Sequence, residues 1–288
     1  MPLKFAIIGG DSRQKYLAEL LWRDGHRVCT YALERAELPP QIPKAGCIQG
    51  CVYGADCVVL PTPAEAGGLL FTPLSAEQLR CEELVAALWQ GQRLFGGRLG
   101  DALCLSALRQ GLIVEDLTRR QDFAVFNAAV TAEGAICVLM ENCDTTLWRS
   151  RILVCGWGRI ARILTRRLLA LGAEVCVAAR RADARAEASA LGAESCEFAA
   201  LAERIGSFEG IVNTVPARVL DDAVLCSAAE GALLLELASA PGGFEKTLAE
   251  NIGLRVLSAP GLPGRYAPRR AAEILCEAIY ASIEEGEG

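Results

Sequence analysis

Arg151-Ile-Leu-Val-Cys-Gly156-Trp157-Gly158-Arg159-Ile160-Ala161 is the stretch on which the fold of this chain turns. Ile152 to Cys155 form an apolar run of the length of a buried strand. Gly156-Trp157-Gly158-Arg159-Ile160-Ala161 then opens an alanine- and leucine-rich segment that reads as a helix. Strand, glycine turn and helix in that order match the G-x-G-x-x-A form of the dinucleotide-binding turn. Gly156 allows the tight reversal from strand to helix. Gly158 lacks a β-carbon, so backbone can approach a pyrophosphate. Ala161 lets the helix pack close to the sheet. The phosphates would meet free N–H groups at the positive end of the helix.

The residues after the next strand sharpen this. Residues 174–178 read as that strand, and it runs into Ala179-Arg180-Arg181. A carboxylate there would take the ribose 2′-hydroxyl of NAD. Two guanidiniums instead suit a 2′-phosphate through charge-assisted bidentate bonds, so NADP is favoured over NAD. The alternative is that Arg180 and Arg181 are solvated surface charges. A later strand ends in Asn213-Thr214-Val215-Pro216. In Rossmann domains this loop lies over the nicotinamide half of the cofactor. Asn213 and Thr214 would bond ribose or phosphate, and Pro216 would stiffen the turn. The other reading is a plain strand-ending turn. Leu237-Ala238-Ser239-Ala-Pro-Gly-Gly243 and Pro260-Gly-Leu-Pro-Gly-Arg265-Tyr-Ala-Pro268 are two further loops for the carboxyl edge of the sheet. Arg265 is the cation of the second.

The glycine turn lies mid-chain and leaves residues 1–150 for another domain. Strand and helix signals alternate throughout, which predicts an α/β protein with largely parallel sheets. Residues 1–130 are expected to form a flavodoxin-like domain. Its strands are predicted at 4–8, 26–31, 56–60, 93–95 and 112–114, with helices at 12–24 and 75–89. Residues 121–142 read as a long connecting helix, extending the link to about 148. Residues 149–288 are expected to form the NAD(P)-binding Rossmann domain, with a cleft between the two. The helix at 267–284 would return to the first domain. The closing Glu284-Glu-Gly-Glu-Gly is expected to fray.

Composition excludes several classes. The 288 residues are 52% hydrophobic and 22% charged, and the net charge is -6. That charge gives no general attraction to nucleic acid or anionic membranes. No apolar run is read as approaching the roughly 18 residues of a spanning helix. The N-terminus runs straight into a strand, so a signal peptide is not expected and a cytoplasmic location is. Thirteen cysteines in such a context suit small buried hydrophobes rather than a disulfide framework. The single histidine, His26, reads as a solvated turn residue. A Ser-His-Asp triad or multi-histidine zinc site has little to be built from. No metal site is expected.

Other groups could face the carboxyl edge of the first sheet. Ile8-Gly-Gly-Asp11-Ser-Arg13-Gln14 repeats the strand–loop–helix pattern without being G-x-G-x-x-G. Asp11 or Ser12 would cap the following helix. Arg13 and Gln14 would face the cleft. Asn127, Thr131 and Glu133 on the connector are candidates too, or else Thr131 and Glu133 mark a helix start.

At this point the chain resembles the dipicolinate synthase A-subunit family over nearly its whole length. The resemblance is carried by Ile8-Gly-Gly-Asp-Ser-Arg-Gln14, Val59-Leu-Pro61, Phe126-Asn127 with Thr131-Ala-Glu-Gly-Ala-Ile136, and Gly156-x-Gly158. It continues through Ala179-Arg180, Asn213-Thr-Val-Pro216, Leu237-Ala-Ser239 with Pro241-Gly-Gly243, and Pro260-Gly-Leu-Pro-Gly264 with Ala267-Pro268. It implies NADP-dependent oxidation of a dihydrodipicolinate-type ring to pyridine-2,6-dicarboxylate during bacterial sporulation, in the mother cell. It also implies the flavoprotein-like B-subunit of dipicolinate synthase as partner; a homo-oligomer stays open. Such chemistry needs two carboxylates held and one proton accepted. Arg13, Arg265 and the N–H groups of Gly242 and Gly243 suit the first task; Asp11, Glu133 or Ser239 suit the second.

The chain departs from the family pattern in three places. Asn142-Cys-Asp-Thr145 stands where the family has His-Thr-Asp-Tyr/Phe, so only Asp144 matches. Ala240 replaces a basic residue and Val130 a proline. A dehydrogenase of another small carboxylated substrate, or a non-catalytic nucleotide-binding component of a flavoprotein complex, are the rival expectations.

Overall fold

The computed structural model describes residues 2–286 and divides into two compact units. One holds the residues up to Asn127 together with those from Ala267 onward; the other is Ala128–Tyr266.

The first unit runs β1 (Lys4–Ile8), α1 (Ser12–Arg23), β2 (Arg27–Tyr31), α2 (Ile48–Val52), β3 (Cys57–Val59), a hairpin of β4 (Glu65–Ala66) and β5 (Leu69–Leu70), α3 (Cys81–Ala87), β6 (Arg93–Gly96), α4 (Asp101–Arg109) and β7 (Ile113–Asp116). The long helix α5 (Gln121–Asn142) then leads away. The five main strands are parallel in the order β2-β1-β3-β6-β7. In chain order that is 2-1-3-4-5, the flavodoxin-like arrangement. Phe5, Ile7, Ile8, Val58, Val59 and Leu94 are buried, as continuous apolar runs must be in a sheet covered on both faces.

The second unit contains β8 (Arg151–Cys155), α6 (Arg159–Ala170), β9 (Glu174–Ala178), α7 (Ala182–Ala190), β10 (Glu194–Cys196), β11 (Gly210–Asn213), α8 (Asp222–Cys226), β12 (Leu233–Glu236), α9 (Lys246–Asn251), β13 (Arg255–Ser258) and α10 (Leu262–Tyr266). Its six parallel strands follow the order β10-β9-β8-β11-β12-β13. That is 3-2-1-4-5-6, the Rossmann order, with its switch point between β8 and β11.

The last helix, α11 (Pro268–Gly286), belongs to the first unit and packs on α1. Tyr280 donates to Asp24 at 2.7 Å. Glu285 receives two bonds from Arg120, at 2.7 and 2.9 Å. The terminal stretch is therefore helical and anchored as far as Gly286, and residues 287 and 288 lie outside the described residues. Residues 128–142 of the connecting helix are built into the second unit.

Several expectations change. His26 is half-buried rather than a solvated turn residue. Its Nδ1 accepts the Leu3 N–H at 3.1 Å, and its ring lies 5.1 Å from Phe5 and 5.7 Å from Tyr280. The helix expected at 75–89 shrinks to α3, because Leu79 accepts from Leu70 N–H and Cys81 N–H donates to Gly68, tying the segment to the β4–β5 hairpin. The short elements β10, α2 and the hairpin have no periodic signal long enough to read. Helix α5 is long and apolar enough to cross a membrane by composition, with mean hydropathy 1.8. Its apolar side chains serve a protein core instead: Ala132, Ala135, Ile136, Val138 and Leu139 are buried in that of the second unit.

Candidate functional site

The site grows from the β8–α6 turn. Gly156 has φ +102°, which an L side chain rarely adopts, and a Cβ there would lie 2.6 Å from Thr214 Oγ1 and 2.8 Å from Val215 Cγ2. Its own neighbours thus demand glycine. Gly158 is different. It is the N-cap of α6, its φ is -82°, no side chain caps the helix, and a Cβ added there meets nothing within 4 Å. The fold itself does not require glycine at 158, and as N-cap it brings no side chain of its own to the start of this twelve-residue helix.

In front of this turn lies a cavity of ≈ 270 Å³ lined by Gly156, Trp157, Arg162, Arg180, Phe198 and Val215, among others. Arg180, the residue two past β9, is exposed and has no carboxylate partner among the described residues. Arg181 is tied to Asp183, with Nε donating to Oδ1 at 2.9 Å and Nη2 to Oδ2. That bond holds the Asp183 carboxyl down, to about 2. Trp157 Nε1 donates to Glu187 at 2.8 Å. Arg159 and Ile160 open α6, and Ala161 is fully buried against the sheet.

The next loops are woven together by a residue that the sequence motifs do not point to. Glu236, at the end of β12, accepts Asn213 Nδ2 at 2.8 Å and 2.9 Å, the Ala238 N–H at 2.7 Å and the Gly243 N–H at 2.8 Å. Its one local signal is that it is a lone carboxylate closing the apolar run Leu233-Leu-Leu. Asn213 is fully buried, and its Oδ1 also accepts the Val215 N–H at 3.1 Å. Thr214 Oγ1 donates to the Cys155 carbonyl at 2.7 Å. Asn213, Thr214 and Ala238 therefore set the shape of the carboxyl edge through contacts within the protein. Pro216 is exposed on the same turn. Arg162, Glu187 and Phe198 likewise carry no sequence signal; they join the site only through the fold, from three separate segments.

Gly243 N–H is spent on Glu236, and Gly242 N–H on the Ser239 carbonyl at 3.0 Å. Neither is free for a substrate carboxylate, contrary to expectation. Ser239 is exposed on this loop. Arg265, on α10, is exposed with its guanidinium 5.0 Å from the Tyr266 ring. Glu133, on α5, pairs with Arg167 at 3.1 Å.

In the first unit, Asp11 caps α1 in a reciprocal box with Gln14. Arg13 is buried, and its Nε and Nη2 both bond Asp11, at 2.9 and 2.8 Å. The two charges expected to serve substrate thus satisfy each other.

The departures from the family pattern separate in space. Asn142 Nδ2 bonds the Val138 carbonyl at 2.8 Å, and Asp144 pairs with Arg255 at 3.1 Å. Arg255 begins β13, so this region sits at the amino edge of the sheet, away from the glycine turn. Ala240 stays on the carboxyl edge, exposed in the loop after β12.

Residues 4–118 match the family model described as the N-terminal domain of the dipicolinate synthase A-subunit. A dipicolinate synthase A-subunit of Bacillus subtilis (strain 168) is 29% identical over 293 residues, spanning 99% of this chain and 98% of that one. The crystal structure of the dipicolinate synthase A-subunit from Bacillus halodurans superposes with a TM-score of 0.87 at 27% identity, over 97% of each chain. The dipicolinate synthase A chain of Bacillus subtilis has a TM-score of 0.85 at 30% identity, over 99% of this chain and 97% of that one. With the fold and nearly the whole length shared, the chain belongs to the dipicolinate synthase A-subunit family.

Proposed function

We propose that the chain is the NADP-dependent component of an oxidoreductase that converts a dihydrodipicolinate-type ring to pyridine-2,6-dicarboxylate, in the cytoplasm of a sporulating mother cell. Its partner on this reading is a flavoprotein-like second subunit. The observation that carries the cofactor assignment is the β8–α6 turn: a helix start whose N-cap has no side chain, a Gly158 position that faces open space, and an arginine-lined cavity beside it. These residues fit a dinucleotide, with Gly156, Trp157, Gly158, Arg159 and Ile160 around the pyrophosphate and Arg180 at the 2′-phosphate. When bound, the nicotinamide supplies a hydride acceptor, and aromatisation of the ring provides the driving force. The loops fixed by Asn213, Thr214 and Glu236 shape the edge on which the nicotinamide half would lie.

For the substrate, Arg13 and Arg265 are the cations assigned to carboxylates, and Asp11, Glu133 and Ser239 the groups assigned to protons. Arg265 is the stronger of the two cations, since Arg13 is already neutralised by Asp11. A different small carboxylated substrate is the second reading, favoured by Ala240, which removes one cation from the carboxyl edge.

Fluorescence titration with NADPH and NADH tests the cofactor. Arg180→Ala should weaken NADPH about tenfold more than NADH, the size of one charge-assisted contact; equal losses would contradict the assignment. Adding the flavoprotein partner and dihydrodipicolinate should produce pyridine absorbance. No turnover with the partner present would favour the second reading or a non-catalytic role.

A further inference from the structure

Four arginines stand around the expected position of the 2′-phosphate, and their existing bonds distinguish them. Arg181 makes two bonds to Asp183. Arg185 is spent on the Ala179 and Arg180 carbonyls and on Glu197. Arg180 has no carboxylate partner among the described residues. Arg162 lines the same cavity from α6 and makes one contact to a carboxylate, Nη2 to Glu187 Oε2 at 2.9 Å, besides a 3.3 Å bond to the Trp157 carbonyl. The Arg162–Glu187 pair is half exposed, at 53% and 49%. Such a pair is weakly held and screened by solvent.

We propose that Arg162 is the second cation for the 2′-phosphate, acting with Arg180, and that Glu187 is the carboxylate it leaves when that phosphate binds. The inference rests on the dinucleotide reading above. A phosphate with charge near -2 offers Arg162 a bidentate partner, whereas Glu187 Oε2 is shared with the Trp157 indole, which donates at 2.8 Å. Glu187 holds both the guanidinium and the indole at the cavity wall, so the wall is pre-set and the cation is on loan. Arg181, whose carboxylate partner is two residues away on its own segment, stays with Asp183.

Two variants move selectivity in opposite directions. Arg162→Gln should weaken NADPH binding about tenfold while changing NADH little. Glu187→Gln keeps an oxygen for the indole but releases Arg162; NADPH should bind about threefold tighter, with NADH unchanged. Calorimetric titration of the full chain with each nucleotide reads both. Parallel loss of both nucleotides in Arg162→Gln, or weaker NADPH binding in Glu187→Gln, would overturn the proposal. Failure of the unaltered protein to bind either nucleotide would instead remove the dinucleotide reading, and this inference with it.

Discussion

The turn from β1 into α1 and the turn from β8 into α6 leave two parallel sheets at equivalent places, beside the strand where the order reverses. They end differently. At the first, Asp11 and Gln14 cap the helix reciprocally, and Arg13 neutralises Asp11. At the second, Gly158 offers no side chain and the helix start carries no side-chain cap. The following strands repeat the contrast. Tyr31, ending β2, spends its hydroxyl on Glu77 at 2.6 Å; Arg180, just past β9, has no carboxylate partner among the described residues. One edge is saturated by its own residues, and the other holds donors in reserve. A shared topology therefore does not give both edges a dinucleotide turn; the residues at the turn decide.

The largest effect should come from Gly158→Val. It should cost at least about 100-fold in NADPH affinity, or ~2.7 kcal/mol. The thermal midpoint should hardly move, because φ is ordinary and a Cβ there meets nothing within 4 Å. A large drop in the midpoint, or intact affinity, would erase the contrast between the two turns. Next is Asp11→Ala, which removes a cap and strands the buried Arg13. Unfolding in urea should show a loss of about 2–3 kcal/mol with NADPH affinity unchanged. A neutral result would mean that the first turn is not held by its own charges.

The smallest concerns Tyr31. The hydrogen bond to Glu77, aided by burial, pushes its hydroxyl up to about 12. A value raised above the unfolded one near 10 favours the native state fully below pH 10, and that contribution fades as pH climbs toward 12. Absorbance at 295 nm should locate the phenolate near pH 12, and Tyr31→Phe should flatten the alkaline fall in stability. Titration of Tyr31 near pH 10 would show that this edge is less saturated than its geometry implies.

Much of the architecture is legible in the sequence because long periodic segments carry it. Residues 121–142 read as one helix, and 152–155 followed by glycine read as strand and turn. The short hairpin at Glu65–Leu70 and the three-residue β10 escape, since pairing across the fold rather than local pattern makes them. The glycines of the site can be read because backbone needs are written locally. Roles that depend on a partner cannot. Nothing near Arg162 in sequence announces Glu187, and nothing near Asn213 announces Glu236. Gly243 looks like a free donor until its neighbour claims it.

Because α11 completes the first unit from the far end of the chain, Ala128–Tyr266 is in effect an insertion within it. The buried faces of Leu17 and Leu21 on α1 and of Ile274, Leu275 and Ile279 on α11 belong to one unit, yet all of Ala128–Tyr266 is made between them. The strands of the second unit are made after those of the first, yet Ala128–Tyr266 is complete in the chain before α11 is made, so the second unit can fold before the first is whole.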